Sequence, residues 1–74
     1  MNEFLQRIAR ALEVEQVGPG DDLRAFPQWD SLSVLSVIAM LDAAYGVNLR
    51  AAELGEVETA GDLWKLVQVR RPPS

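Results

Sequence analysis

The 74-residue chain contains neither cysteine nor histidine. Without cysteine there is no disulfide framework, no thiolate nucleophile and no sulfur-ligated metal site, a composition suited to a reducing compartment. Without histidine the commonest general base and the commonest metal ligand are missing too. That argues against a self-sufficient hydrolase or metalloenzyme, and neither catalytic nor metal-ligating residues are expected. Positive charge is also scarce: seven basic residues stand against eleven acidic ones, a net charge of -4. This is the wrong sign for neutralising phosphates, so basic partners are expected and nucleic acid is not. The bases are scattered (Arg7, Arg10, Arg24, Arg50, Lys65), and only Arg70 and Arg71 are adjacent. No apolar run has the length of a membrane span, and the N-terminus lacks the basic and apolar regions of a leader. A soluble cytoplasmic protein with no membrane association is expected.

What is present is apolar: 49% of the residues are hydrophobic, against 24% charged, the balance of a globular chain. At this length one domain is expected over residues 1–74, with a folded core from about 3 to 70. Phe4, Leu5, Ile8, Ala11 and Leu12 recur at helical spacing and predict a first amphipathic helix. From Glu15 to Asp30 the period is lost, and Gly18, Pro19, Gly20 and Pro27 break any regular element; Leu23 and Phe26 are its expected anchors. A second helix is expected from Asp30 or Ser31 to Tyr45, stopped by Gly46. Its only polar residues between Leu32 and Tyr45 are Ser33, Ser36 and Asp42. Leu32, Leu35, Ile38, Leu41 and Tyr45 are assigned to the core, and the remaining Val34, Val37 and Met40 imply either a helix buried on several sides or a second apolar face that meets a ligand or partner. One or two helical turns follow, ended by Gly55. A last helix is capped by Thr59, with Ala60, Leu63, Trp64 and Val67 on one face and Pro72 and Pro73 in a fraying tail. The architecture is all-α: three main helices plus one short helix.

The stretch Trp29-Asp30-Ser31-Leu32 lies where the long loop meets the second helix. Asp and Ser at such a place are ordinary caps. A nucleophilic serine would need a base, and with no histidine and the one lysine on another helix, Ser31 has none in view.

The arrangement resembles the acyl carrier protein family over almost the whole chain, from about Phe4 to Val69. The resemblance is carried by Asp30-Ser31-Leu32 after a long loop, by the apolar helix closing on "LDAAYGV", and by "ETAGDLWKLV". It implies a small four-helix bundle with one short helix. It also implies that Ser31 is esterified with 4'-phosphopantetheine by a separate phosphopantetheinyl transferase, so that the reactive thiol arrives with the cofactor. By the same resemblance Asp30 is the acid that the transferase reads, and Leu32 the position that packs beneath the arm. Asp30 keeps its second reading as a cap, and Trp29, where many members carry a small residue, is assigned to core packing or to shielding the loop end.

One departure bears on partners. Fatty-acid carriers place acidic residues shortly after the serine, whereas this chain has Ser33 and Ser36. Docking is therefore expected through Val34 and Val37, with Asp42, Glu53, Glu56 and Glu58 supplying the remaining charge. The implied function is a non-enzymatic, monomeric carrier. It holds acyl or aminoacyl groups as thioesters and delivers them between acyl-loading and acyl-transfer enzymes of fatty-acid, polyketide or related biosynthesis. The alternative is an unmodified helical interaction module of the same fold.

Overall fold

The computed structural model describes residues 1–71, and the expectation for Pro72 and Pro73 lies outside them. Four α-helices follow one another: α1 (Asn2–Leu12), α2 (Ser31–Tyr45), α3 (Ala51–Glu56) and α4 (Ala60–Arg70). A single 3-10 turn over Leu23–Ala25 interrupts the loop between α1 and α2. The fold is all-α, a bundle of three long helices and one short one.

Each helix end has a local cause. At α2, Asp30 in an extended conformation accepts the N–H of Ser33 at 2.8 Å through Oδ1, while its own carbonyl takes the N–H of Val34. Gly46 ends the helix in the left-handed region, at φ 66°, where a side chain is disfavoured. At α4, Thr59 Oγ1 accepts the N–H of Asp62 at 3.1 Å. Glu13 closes α1 with φ 58°, an unusual conformation for a residue with a side chain. Gly55 does not stop α3, which continues through it to Glu56. The turn ends at Val57, whose side chain enters the core, so burial of Val57 overrides the local signal of the glycine.

The loop from Val14 to Asp30 runs over the start of α4. The N–H groups of Ala60 and Gly61, which no helical carbonyl can reach, bond to the carbonyls of Asp21 and Pro19 at 3.1 and 2.8 Å. A Cβ on Gly61 would lie 2.9 Å from the Pro19 oxygen, so the close approach requires glycine there. Leu23 is buried as expected, Phe26 packs half-buried against the core, and Val17, Val47 and Leu49 add loop residues to it. Phe4, Tyr45 and Trp64 form a mutual cluster at one end of the bundle, with centroids 4.8 to 5.9 Å apart.

The second helix differs most from the sequence reading. Its core residues are Val37 and Leu41, with Val34, Ile38, Met40 and Tyr45 packed half-buried around them. Leu32 and Leu35, assigned to the core, are 73% and 59% exposed. The helix is apolar on nearly every side, so the choice of face falls to the neighbouring elements rather than to its own period.

Candidate functional site

Ser31 is the first residue of α2 and is exposed. Two contacts hold its surroundings. Asp30 caps the helix, and the Ser33 hydroxyl donates to the Gln28 carbonyl at 2.5 Å, tying the loop end to the first turn. Ser33 was read from the sequence as a vacated docking position; it serves here to fix the approach to the serine. With the N–H groups of Ser33 and Val34 engaged by Asp30, those of Ser31 and Leu32 have no partner among the described residues. No acidic side chain lies within the first turn itself. A phosphate ester on the Ser31 hydroxyl fits this donor set, since free N–H groups and the helix dipole both favour negative charge at that end.

Beside the serine runs an open groove lined by Trp29, Asp30, Ser31, Val34, Leu35 and Ala51. Trp29 is half-buried against the core and forms part of this groove. It thus connects core packing with the loop end. Ala51 and Leu35 were missed from the sequence: Ala51 because nothing local joins α3 to the serine, Leu35 because it was counted as core.

The residues expected at the site separate. Asp30, Ser31 and Leu32 stay together, with Leu32 exposed on the surface rather than packed under anything. Val34 is half-buried and faces the groove. Val37 has no exposed surface, which corrects its assignment as a docking residue: it is inside, packed between the helices. Asp42 is exposed near the far end of α2. Glu53 is committed within the chain. It accepts the N–H of Arg50 at 3.3 Å and the Arg70 guanidinium at 2.5 Å, and these bonds, the backbone one first, hold its carboxyl below the usual carboxylate range. Among the described residues no cluster of three or more acidic side chains could hold a metal ion. No described helix is long and apolar enough to cross a membrane.

Comparison with known proteins places this geometry. No curated protein is similar enough to the chain to count as a match. Among solved structures, the solution structure of a holo acyl carrier protein from Geobacter metallireducens superposes with a TM-score of 0.73 at 21% identity, covering 92% of this chain and 80% of that one. At that identity the likeness establishes the fold. The family model described as "Phosphopantetheine attachment site" matches residues 2–67, which is nearly all of the chain. The chain therefore belongs to the phosphopantetheine-attachment family of acyl carrier proteins, whose prosthetic group is covalently bound 4'-phosphopantetheine.

Proposed function

We propose that residues 1–74 form one discrete, monomeric carrier domain, modified at Ser31, that holds acyl or aminoacyl groups as thioesters and hands them between the enzymes of a biosynthetic pathway of the fatty-acid or polyketide kind. The observation that carries this reading is the exposed Ser31 hydroxyl at the start of α2, with two free backbone N–H groups beside it. The prosthetic group supplies the thiol that bears the cargo. The chain's own residues do the rest: Asp30 and Ser33 hold the helix start still, and Ser31 is left open to a transferase. In the loading step Ser31 Oγ forms the new phosphoester bond, coenzyme A loses its bond to 3',5'-ADP, and the hydroxyl proton is given up to the transferase or to solvent. Asp30 is placed where the transferase would also meet it. A chain without cysteine or histidine then needs no catalytic group, and a cytoplasmic setting accords with its lack of disulfides.

Incubation with coenzyme A, magnesium and a broad-specificity phosphopantetheinyl transferase tests the reading by intact mass. The protein gains one phosphopantetheine, and Ser31→Ala gains none while keeping its helical circular dichroism. A wild-type mass unchanged by several transferases would return the chain to the class of unmodified interaction modules.

A further inference from the structure

We propose that Trp29 is the seat of the prosthetic arm: the dimethyl-bearing carbon beside the phosphate of 4'-phosphopantetheine rests against its indole, in the groove where the loop end, α2 and α3 meet. The inference rests on the reading of Ser31 as the attachment site and names what the neighbouring groove holds. Trp29 packs half-buried against the core and also lines this groove, with Asp30, Ser31, Val34, Leu35 and Ala51. Its place in the chain is fixed from both sides. The Trp29 N–H bonds to the Phe26 carbonyl at 3.0 Å, the Gln28 carbonyl before it takes the Ser33 hydroxyl at 2.5 Å, and Asp30 after it takes the Ser33 N–H at 2.8 Å. A residue held this way loses little freedom when something settles on it. From α3, the exposed Ala51 contributes only a methyl group, which leaves the groove open.

Charge decides which part of the arm enters. Asp30 is the one charged residue of the groove lining, and it has no cationic partner among the described residues. A phosphodiester on Ser31 is repelled by that carboxylate and turns to the backbone N–H groups of Ser31 and Leu32, which have no partner among the described residues either. Next along the arm, after one oxygen and one methylene, comes a carbon that bears two methyl groups and no charge. It is tied so close to Ser31 that it stays in the neighbourhood of the groove, and such a tether gives even a weak apolar contact a high effective concentration. Trp29, Val34 and Leu35 offer it apolar surface in the same lining. The chain's second tryptophan, Trp64, packs instead with Phe4 and Tyr45, so the two indoles report on different places.

Proton NMR of the holo protein tests the seat. Each protein is first carried to the single-phosphopantetheine mass with coenzyme A, magnesium and a broad-specificity phosphopantetheinyl transferase. The methyl signals of the arm are then displaced by the indole ring current from their positions in free 4'-phosphopantetheine, and they show cross-relaxation with the Trp29 ring protons. In a Trp64→Phe background, which leaves Trp29 as the one tryptophan, fluorescence emission moves to shorter wavelength on modification. Trp29→Ala returns the methyl signals to the free positions. Trp29→Phe keeps a smaller displacement and serves if the alanine loosens the loop. Ala51→Leu fills the groove from an exposed position and also returns the signals, with the indole still present. Wild-type methyl signals at the free positions, or displaced signals that Trp29→Ala and Ala51→Leu both leave in place, overturn the seat while Ser31 stays modified. A wild-type chain that takes up no phosphopantetheine overturns this inference and the carrier reading together.

Discussion

The two apolar faces of α2 have almost the same composition and opposite fates. One carries Val37 and Leu41, both with no exposed surface, and the other carries Leu32 and Leu35, both more than half exposed. Hydrophobicity alone does not distinguish them, since leucine stands on each. The difference lies in what surrounds the helix. Leu12 of α1, Leu23 of the loop and Leu63 and Val67 of α4 share one buried core with Val37 and Leu41. None of the described residues encloses Leu32 or Leu35 on the face that starts at Ser31. The lesson is that a helix can be apolar in excess of what its core buries, so that composition alone does not say which face the bundle takes.

The comparison can be broken most sharply by placing the same carboxylate on each face. Val37→Asp puts an unpaired charge where the wild-type side chain is fully enclosed. It is expected to cost several kcal/mol, comparable to the roughly 5 kcal/mol total stability of a small domain. Loss of the cooperative melt by circular dichroism is the outcome, whereas Leu35→Asp melts close to the wild type. A normal melt for Val37→Asp with a collapsed Leu35→Asp would mean that the faces are reversed. A milder cut gives the scale: Leu41→Ala leaves a cavity and is expected to lose about 2 to 5 kcal/mol, against less than about 0.5 kcal/mol for Leu35→Ala, read from denaturant midpoints.

Much of this was legible in the sequence. The limits of α2, its Asp30 cap, the Gly46 stop and the Thr59 cap of α4 depend on local chemistry, and local chemistry is written in adjacent residues. The face of α2 was misread because the ladder was started at Leu32, and every third or fourth residue after it is also apolar. The better signal was the polar residues. Ser33, Ser36 and Asp42 together point toward Ser36, and Leu41, five residues on, lies about 140° around the helix from it, which is the buried side. Other features were not legible at all. The Asp21 and Pro19 carbonyls over the start of α4 and the pairing of Glu53 with Arg70 join segments by tertiary placement, and the bond from Ser33 to the Gln28 carbonyl, five residues away, depends on how the loop bends into α2. No pattern within one segment announces them.

The head of the exposed face gives the next effect in size. Asp30→Ala removes the acceptor for the Ser33 N–H and is expected to cost about 1 kcal/mol, as a lost helix cap does. Ser31→Ala, one residue on, leaves that bond intact and is expected to be close to neutral. Thermal melts of the pair decide whether the aspartate works for the fold while the serine is left free for modification. Equal losses from both would show the serine to be structural.

The smallest effect concerns pH, and it too divides the two faces. Among the described residues no polar or charged one is buried, so the face of Val37 and Leu41 contributes stability that does not titrate. The titrating part belongs to the surface, where Glu53 ties the start of α3 to Arg70 of α4. Its carboxyl is held below the ordinary range, first by the Arg50 N–H and then by Arg70. For a carboxylate lowered in the folded state, the contribution is fully present above the pKa of the unfolded chain and is lost as the pH falls through the folded value. Stability is therefore level near neutrality with respect to this group, and its share disappears on the acid side of the ordinary carboxylate range. The pair is exposed to solvent and screened by salt, so the share is small. Melting temperatures followed from neutral pH into acid should fall less steeply for Glu53→Gln than for the wild type, and added salt should narrow the gap. Parallel curves for the two proteins would mean that Glu53 does not hold α3 beside the exposed face, and that Leu54, buried beneath the same short helix, holds it alone.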